Sequence, residues 1–279
     1  MIDRCYLEIT NVCNLDCIFC PKTKRQKRLM SPDEFEAITD RIQGQVRFLY
    51  FHLMGEPMLH PHLDDFIRSA RDKGFIPVLT TNGTLISKGL KNLPHKIQIS
   101  LHSHEGNQTG NSLSDYLRCI MTFAVDAAAH GTIVVLRLWN QGGYDRQNDE
   151  ILNILSDFVP SESWIQRYDG WKLADHLYLE YDQMFEWPDE AHALTGEDEV
   201  FCYALRNQIG ILADGTVVPC CLDHDGSIPL GNIFSQTLDG ILSGQMARQL
   251  YDGFSRHTAV APLCQRCDYA AVTKRFRKK

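Results

Sequence analysis

Three cysteines stand close together near the start of the chain, in the segment "NVCNLDCIFC" that follows a short apolar run. Three thiolates on one tight loop can hold three irons of a 4Fe-4S cube and leave the fourth iron without a protein ligand. A partial zinc site completed by a distant histidine, or thiols that only pack, are the alternatives. The spacing of Cys13, Cys17 and Cys20, with Phe19 before the third, favours the open cube.

A second set of cysteines lies in the last third of the chain. Cys202 and Cys220 are followed by Cys264 and Cys267, and the last two are separated by two residues. Four thiolates are enough to complete a metal site. On spacing alone, this set is compatible with a zinc ribbon or with a second iron-sulfur cluster.

The elements that must position these cysteines alternate between apolar runs and segments of helical period. The predicted strands are "CYLEIT", "VRFLYFHL", "IPVLTT", "KIQISL" and "TIVVLRL", and predicted helices separate them, including a short one near residues 85–90. This alternation predicts an α/β fold with a parallel sheet, closed or nearly closed as a barrel of about six strands. In such barrels the reactive groups lie where strands end and loops begin.

Several element boundaries are specified locally. Ser31, Pro32 and Glu34 form a capping box for the first helix, and Gly74 ends the second. Beyond the acidic segment "EWPDEAHALTGEDE", which is interpreted as a linker, a hairpin is expected to turn at residues 214–215. One helix is predicted after it, over about residues 238–251.

Polar side chains follow the predicted strands at one end of the sheet. "MGEP" follows the second strand, "TTNG" the third and "SLH" the fourth, while the three cysteines follow the first. The ends of parallel strands meet at one edge of a sheet, so these stretches are expected to converge on one face.

The spacing Cys13-x3-Cys17-x2-Cys20, with Phe19 before the last cysteine, resembles the signature of radical S-adenosylmethionine (radical SAM) enzymes. The resemblance implies a partial TIM barrel of about six parallel βα units and a 4Fe-4S cluster whose open iron binds SAM. Reductive cleavage of SAM would then give a 5'-deoxyadenosyl radical that abstracts a substrate hydrogen. The resemblance therefore assigns a catalytic role to the three loop cysteines.

Further site residues follow from the same resemblance. The family's Gly-Gly-Glu motif for the SAM amino group corresponds here to "MGE", so Glu56 offers its carboxylate to an ammonium. Ser100 matches a position that often bonds ribose or carboxylate. Asn82 and Arg137 are candidate pocket residues, with a turn asparagine and a barrel-mouth cation as the alternatives. The implied cofactor-binding residues are Phe19, Gly55, Glu56, Asn82, Ser100 and Arg137.

The second cysteine set resembles the auxiliary domain known as SPASM in its long form and Twitch in its short form. The pattern is Cys202-x12-Gly215-x4-Cys220 followed by Cys-x2-Cys. No cysteine follows Cys267, so the short form with one auxiliary 4Fe-4S cluster is expected. Cys221 could replace Cys220 as a ligand. The expected domains are a radical SAM core over residues 1–195 and the auxiliary domain over residues 196–279.

The remaining candidate groups receive more ordinary interpretations. Cys5 and Cys119 are expected to pack in the core, without a ligand role. The histidines around "MGEP" are interpreted as barrel-mouth structure. Asp223 is a candidate catalytic base that could take a proton while a substrate radical is oxidised, and an exposed turn aspartate is the alternative.

Composition limits the partners. The chain has 279 residues and a net charge of -7, which argues against nucleic-acid binding. Two basic runs, at residues 22–28 and 274–279, lack interleaved aromatic residues and are interpreted as solvated. No apolar run is long enough to cross a membrane and no signal peptide is visible, so a cytoplasmic location is expected. In that reducing compartment, the ten cysteines are better suited to metal ligation than to disulfides.

The predicted function is that of a radical SAM oxidoreductase whose auxiliary cluster completes a two-electron oxidation. A small alcohol or aminocyclitol is the expected substrate, and the alternative is a maturase that modifies a ribosomally made peptide or protein. A non-catalytic zinc or iron-sulfur scaffold is the alternative of another class. The resemblance also implies an electron donor such as flavodoxin or ferredoxin.

Overall fold

The strands of the protein form one continuous sheet. The computed structural model describes residues 2–107, 112–194 and 200–270. Its strands are β1 (Ile2–Leu7), β2 (Val46–Phe51), β3 (Ile76–Thr81), β4 (Lys96–Ser100), β5 (Ile133–Gln141), β6 (Ile165–Arg167), β7 (Gly170–Ala174), β8 (Leu177–Gln183), β9 (Gln208–Ile211), β10 (Thr216–Val218) and β11 (Gly231–Asn232). Their order in the sheet is β11-β10-β9-β1-β2-β3-β4-β5-β8-β7-β6.

The centre of the sheet is parallel, as predicted for an α/β fold. Strands β1, β2, β3, β4, β5 and β8 pair in parallel, and β9 adds a further parallel strand beside β1. The barrel is not closed, because the described strands form an open sheet that ends at β11 and β6, and this agrees with the expected partial TIM barrel. Antiparallel strands occupy both flanks, with β10 and β11 beyond β9, and β7 and β6 beyond β8.

Six α-helices accompany the sheet in the described ranges. They are α1 (Pro32–Ile42), α2 (Leu63–Asp72), α3 (Leu113–Ala129), α4 (Asn148–Phe158), α5 (Leu238–Leu242) and α6 (Gln245–Ser255). The short helix expected near residues 85–90 is a 3-10 turn at Ile86–Lys88. The single helix expected over residues 238–251 is two helices, because Gly244 takes an extended conformation (φ -64°, ψ 158°) between them.

The predicted boundaries of the first two helices are confirmed. The Ser31 side chain accepts a hydrogen bond from the Glu34 amide, and the Glu34 side chain returns one to the Ser31 amide, so the capping box is complete. Gly74, two residues after the end of α2, has a φ of 85°. That left-handed conformation is easily reached by glycine, which explains why the helix stops there.

The two faces of the sheet differ in chemistry. Side chains alternate between faces along a strand, and Cys5 and Phe51 belong to the apolar core, where Phe51 meets Phe35 of α1 at 6.0 Å between ring centroids. The opposite face, called here the inner face, carries polar groups. Tyr6 of β1 is in register with Tyr50 of β2 on this face. A buried polar face on a sheet is the natural place for a binding site.

The two expected domains share this sheet. Strand β9, in the C-terminal part, pairs directly with β1, and the expected boundary at residues 195–196 lies outside the described residues, as does the basic run at 274–279. The division into two domains therefore stays a prediction. Within the ranges that the structure describes, no helix has both the length and the hydropathy of a membrane span.

Candidate active site and cysteine groups

The first three cysteines lie on a long loop between β1 and α1. The loop closes on itself where Thr10 pairs with Leu29 in an antiparallel bridge. The charges of Cys13 and Cys20 act on the pKa of Cys17, which burial raises, so the three thiols share one neighbourhood as predicted. Three thiols gathered on one loop fit a 4Fe-4S cluster with an open iron.

Asn107 contacts this cysteine loop and was not found from the sequence. Its Nδ2 donates to the Cys17 sulfur at 2.9 Å, and its Oδ1 accepts from the Asp16 amide at 2.8 Å. An amide donor to a thiolate stabilises the charged form. Asn107 lies 90 residues after Cys17, so no spacing in the sequence links the two.

Phe19, before the third cysteine, packs towards the loops that follow β4 and β5. Its ring lies 5.3 Å from the His102 ring and 6.3 Å from the Tyr144 ring. It also lies directly against Gly106, where a Cβ would collide with the ring. Phe19 thereby fixes the cysteine loop against the neighbouring strand ends.

Glu56 follows β2 and is 1% exposed. Its Oε1 accepts hydrogen bonds from the Met58 amide at 3.0 Å and the Thr81 hydroxyl at 2.7 Å, and its Oε2 accepts one from the Asn82 amide at 2.7 Å. Burial raises the pKa of Glu56, while these hydrogen bonds oppose that rise. The carboxylate is held in one position, and each oxygen can still accept from a cation.

Position 55 requires glycine because the backbone there lies very close to the loop that follows β1. It has a φ of 78°, and a Cβ there would lie 2.5 Å from the Thr10 carbonyl oxygen and 2.9 Å from the Asn11 backbone. The neighbour that excludes a side chain is therefore the protein backbone itself. The family resemblance had instead predicted that the glycine lets the backbone approach the cofactor.

Asn82 and Ser100 lie at neighbouring strand ends, as expected. Asn82 Oδ1 accepts from the Thr84 amide at 2.9 Å, and its Nδ2 donates to Asn14 at 3.0 Å, so it stabilises the turn after β3 and tethers the cysteine loop. Ser100 ends β4 and is in register with Arg137 of β5. The cysteine loop, Glu56 and both polar strand ends therefore lie in one region.

Arg137 lies on the inner face and is 7% exposed. Its guanidinium carbon stands 4.0 Å from the centroid of the Trp139 ring. Its Nε is buried without a hydrogen-bond partner, and burial lowers the pKa of Arg137, with Glu180 as the largest opposing influence. The position is compatible with a pocket residue and with the alternative of a barrel-mouth cation.

The four later cysteines come together beside the hairpin of β9 and β10. This hairpin turns where predicted, with Gly215 at a φ of 82°. Burial raises the pKa of Cys220 well above its usual value, and the charges of Cys221, Cys202, Cys264 and Cys267 raise it further. Four thiols that repel one another's charges would be stabilised as thiolates by a metal centre. Within the described ranges, no three Cys, His, Asp or Glu side chains are arranged to hold a single ion.

The neighbours of Cys220 and Cys221 distinguish them. Cys220 packs against the main core together with the other three cysteines of this group. Cys221 instead packs against the small apolar cluster that contains Leu53 and Met54, and it hydrogen-bonds Tyr6 of the inner face. Burial raises the pKa of Cys221 to about 12. The packing therefore favours Cys220 over Cys221 as the ligand, while the charge of Cys202 acts on the pKa of both.

Asp223 is buried, at 1% exposure, so its interpretation as an exposed turn residue is wrong. Its two carboxylate oxygens accept hydrogen bonds from the amides of Ser227 at 2.7 Å and Ile228 at 2.9 Å. Both bonds stabilise the loop after β10. A carboxylate engaged in this way is poorly placed to act as a catalytic base.

The packing predicted for the two remaining cysteines is confirmed for one of them. Cys5 is fully buried in the core, whereas Cys119 is exposed on α3. Cys119 lies two residues after buried Leu117, which rotates it by about 200° from the apolar face. His60 is buried, and its Nε2 contacts the Met30 carbonyl at 2.9 Å, in agreement with a structural role.

The first basic run is not wholly solvated. Arg25 forms a two-point ion pair with buried Glu8, at 2.8 and 2.6 Å, and its Nε donates to the His224 carbonyl at 2.9 Å. The Ala213 amide donates to the same carboxylate at 3.2 Å. The pair joins β1, the cysteine loop and the loop after β10. Apart from the presence of both charges, nothing in the sequence indicates that Glu8 and Arg25 pair.

Two family models match the chain. The Radical SAM superfamily model matches residues 7–123, and the SPASM model, described as an iron-sulfur cluster-binding domain, matches residues 202–268. The second match spans all four later cysteines, which favours iron-sulfur chemistry over a zinc ribbon.

Curated relatives include enzymes of different names. A probable GTP 3',8-cyclase of Methanococcus maripaludis (strain C7) is 32% identical over an alignment 267 residues long, and the match covers 81% of this chain and 87% of the relative. A "tungsten-containing aldehyde ferredoxin oxidoreductase cofactor-modifying protein" of Pyrococcus furiosus is 37% identical over 86 residues. That match covers 29% of this chain and only 24% of the relative.

Solved structures share the fold. BtrN in complex with AdoMet and 2-DOIA has a TM-score of 0.58 at 16% identity, covering 96% of this chain and 93% of BtrN. The anSMEcpe structure with bound AdoMet has a TM-score of 0.63 at 12% identity, covering 100% and 96%. Streptococcus suis SuiB bound to precursor peptide SuiA has a TM-score of 0.60 at 15% identity, covering 98% and 71%.

Proposed function

Because the chain belongs to the radical SAM superfamily and carries a SPASM iron-sulfur domain, we propose that it oxidises a small polar molecule by two electrons. A 4Fe-4S cluster with SAM supplies a carbon radical that abstracts a hydrogen atom, and the auxiliary cluster can accept an electron.

The cysteine loop and the strand ends bind the first cluster and SAM in this proposal. Cys13, Cys17 and Cys20 are the three thiolate ligands, and the Asn107 amide supports the second of them. Glu56 receives the SAM amino group, because three hydrogen bonds already fix its carboxylate at the end of β2. Asn82 and Ser100, with Phe19 beside them, complete the pocket.

The auxiliary group carries the proposal of an oxidation. Cys202, Cys220, Cys264 and Cys267 provide four thiolates, so each iron of a cube would have a protein ligand and none would remain open to substrate. Such a cluster is suited to electron transfer. The hydrogen bonds of β9 to β1 place the hairpin that leads to Cys220 next to the strand that leads into the cysteine loop.

A small substrate is supported by the similarity to BtrN, whose structure was determined with 2-DOIA, but coverage alone does not decide the substrate, because this chain covers 93% of BtrN and 96% of anSMEcpe. The coverage of SuiB, which binds a precursor peptide, is 71%. Peptide modification remains the second candidate, because anSMEcpe, another structure of the same fold, was determined with a bound peptide. GTP enters the assay panel because relatives are named as probable GTP 3',8-cyclases.

Two earlier assignments change. Asp223 is not used as the base, because both its oxygens accept backbone amides. The buried and fully oriented Glu56 carboxylate argues against the alternative of a non-catalytic scaffold. A protein electron donor, flavodoxin or ferredoxin, is proposed as the source of the first electron.

The test is anaerobic incubation of the reconstituted protein with SAM and a reductant. We expect 5'-deoxyadenosine to form, faster with one member of a panel of alcohols, aminocyclitols, peptides and GTP, and the product to have lost two hydrogens. Replacing Cys264 and Cys267 by alanine should preserve SAM cleavage and stop product oxidation, whereas Cys119→Ala should change neither. A product at the oxidation level of the substrate would contradict the oxidation and indicate epimerisation or rearrangement.

A further inference from the structure

The inner face holds a buried cation, Arg137, that has no direct ion pair, although Glu180 of β8 is its register partner and the largest charge that acts on its pKa. In the described part of the chain, Arg137 takes part in no ion pair within 4.0 Å, and its Nε has no hydrogen-bond partner. Its guanidinium stacks on Trp139 instead. A buried unpaired charge costs several kcal/mol, and stacking on an aromatic ring returns only about 1–2 kcal/mol. The ligand-free fold therefore contains a charge that an anion would stabilise.

A second polar atom near Arg137 is also unpartnered. The Nδ1 of His52 is buried without a hydrogen bond, and the ring packs edge-on against Tyr6 at 5.4 Å and near Tyr50 at 6.1 Å. Burial lowers the pKa of His52 to about 3, and the charge of Arg137 lowers it further. The ring is neutral near pH 7, so it can share in binding an anion without adding a charge of its own.

The surroundings of Arg137 differ from those of the proposed SAM pocket. The groups whose charges act on the pKa of Arg137 are Glu180 first, followed by Tyr6, Tyr50 and Cys221, and Cys221 is next in sequence to Cys220 of the auxiliary group. Glu56, proposed for the SAM amino group, instead contacts residues 81 and 82. The unpartnered guanidinium thus lies on the side of the inner face that borders the auxiliary group.

We propose that Arg137, together with His52, binds an oxyanionic group of the substrate, a carboxylate or a phosphate. The planar guanidinium offers paired donors that match both groups. The inference rests on the proposed function, since it names a feature of the substrate of the same site. It narrows the expected substrates to alcohols that carry an acidic group, and it moves Arg137 from the cofactor pocket to the substrate.

The first experiment measures thermal stability of the anaerobically reconstituted protein without ligand. Arg137→Met removes a buried charge that has no direct ion pair and should raise the midpoint by a few degrees. Arg47→Gln is the matched control, because exposed Arg47 also stacks on an aromatic ring, Phe48, at 5.0 Å, and it should leave the midpoint nearly unchanged. A lower midpoint for Arg137→Met would show a structural role and overturn the proposal.

The second experiment adds inorganic phosphate or acetate, with chloride at matched ionic strength. At least one anion should raise the midpoint of the wild-type protein and of Arg47→Gln, and the rise should be lost in Arg137→Met. Equilibrium dialysis then measures SAM binding, which should differ less than threefold between the wild type and Arg137→Met.

Two outcomes would overturn the proposal in this second experiment. One is that neither phosphate nor acetate raises the midpoint of the wild type, or that the rise persists in Arg137→Met. The other is a tenfold loss of SAM binding in Arg137→Met with unchanged anion effects, which would assign the guanidinium to the SAM carboxylate. These measurements do not depend on turnover, so a wild-type protein that failed to cleave SAM would contradict the proposed function and leave the anion result standing.

Discussion

Glu8 of the loop after β1 and Arg25 of the cysteine loop form a buried ion pair through two hydrogen bonds, at 2.8 and 2.6 Å. Their side chains are 0% and 15% exposed. The same arginine contacts the His224 carbonyl, and the same carboxylate accepts the Ala213 amide. One ion pair therefore connects the loop of the first three cysteines with the loop that carries Cys220.

Replacing Glu8 by glutamine should destabilise the protein strongly. It leaves the Arg25 guanidinium buried without a counter-charge, which costs about 3–5 kcal/mol of unfolding free energy. The control is Glu34→Gln, which removes the partner of Arg28 from a more exposed pair, at 29% and 34% exposure, and should cost less than about 1 kcal/mol. Anaerobic denaturant titration measures both, and equal small losses would show that the buried pair does not hold the loops.

The cysteine assignment predicts metal contents. Two cysteine-ligated cubes require about eight irons and as many sulfides per chain. Cys17→Ala should retain about four irons and lose SAM cleavage, whereas Cys5→Ala and Cys119→Ala should keep the full content. Iron, sulfide and zinc analysis of the reconstituted variants checks this, and a wild-type protein with about four irons and one zinc would reassign the second group.

Gly55→Ala should be far more damaging than Gly44→Ala. Both glycines have a positive φ, 78° and 76°, but a Cβ on Gly55 would meet the Thr10 carbonyl at 2.5 Å, while none of the protein lies within 4 Å of one on Gly44. The conformation alone costs about 1–2 kcal/mol, and the overlap adds about 1–3 kcal/mol. Thermal unfolding would reveal the difference, and similar losses for the two variants would argue against the close approach of the strand ends.

The lowered pKa of buried His52 predicts that the protein loses stability in acid. Its pKa is lowered to about 3 in the fold by burial and is about 6.5 in the unfolded chain, so the unfolded state binds the proton between these values. This contribution to stability is complete above about pH 6.5 and falls by up to about 1.4 kcal/mol per pH unit as the pH drops towards 3.

Unfolding free energies of the wild type and His52→Gln, compared between pH 7.5 and 5.5, test this prediction. The variant should lose less stability than the wild type as the pH falls. His130→Gln, at an exposed helix end, is the control and should follow the wild type. Parallel curves for the wild type and His52→Gln would show that His52 takes up its proton as readily in the folded as in the unfolded state.

Features encoded within a few residues were readable from the sequence. The capping box at Ser31 and Glu34, the hairpin at residues 214–215 and the spacing within each cysteine group depend on neighbours along the chain. The alternation of apolar runs with helical periods likewise predicted the parallel sheet, because backbone geometry sets both periods. These local signals also supported the family resemblance that the matches to family models confirm.

Contacts between distant residues were decided only by the tertiary structure. Asn107 meets Cys17 across 90 residues, and the Ala213 amide meets Glu8 across 205. The open sheet depends on which strands occupy its flanks, and the burial of Asp223 depends on how its loop folds over the core. Composition and periodicity fix which residues prefer to be buried, but burial also requires a partner surface, and that surface comes from elsewhere in the chain.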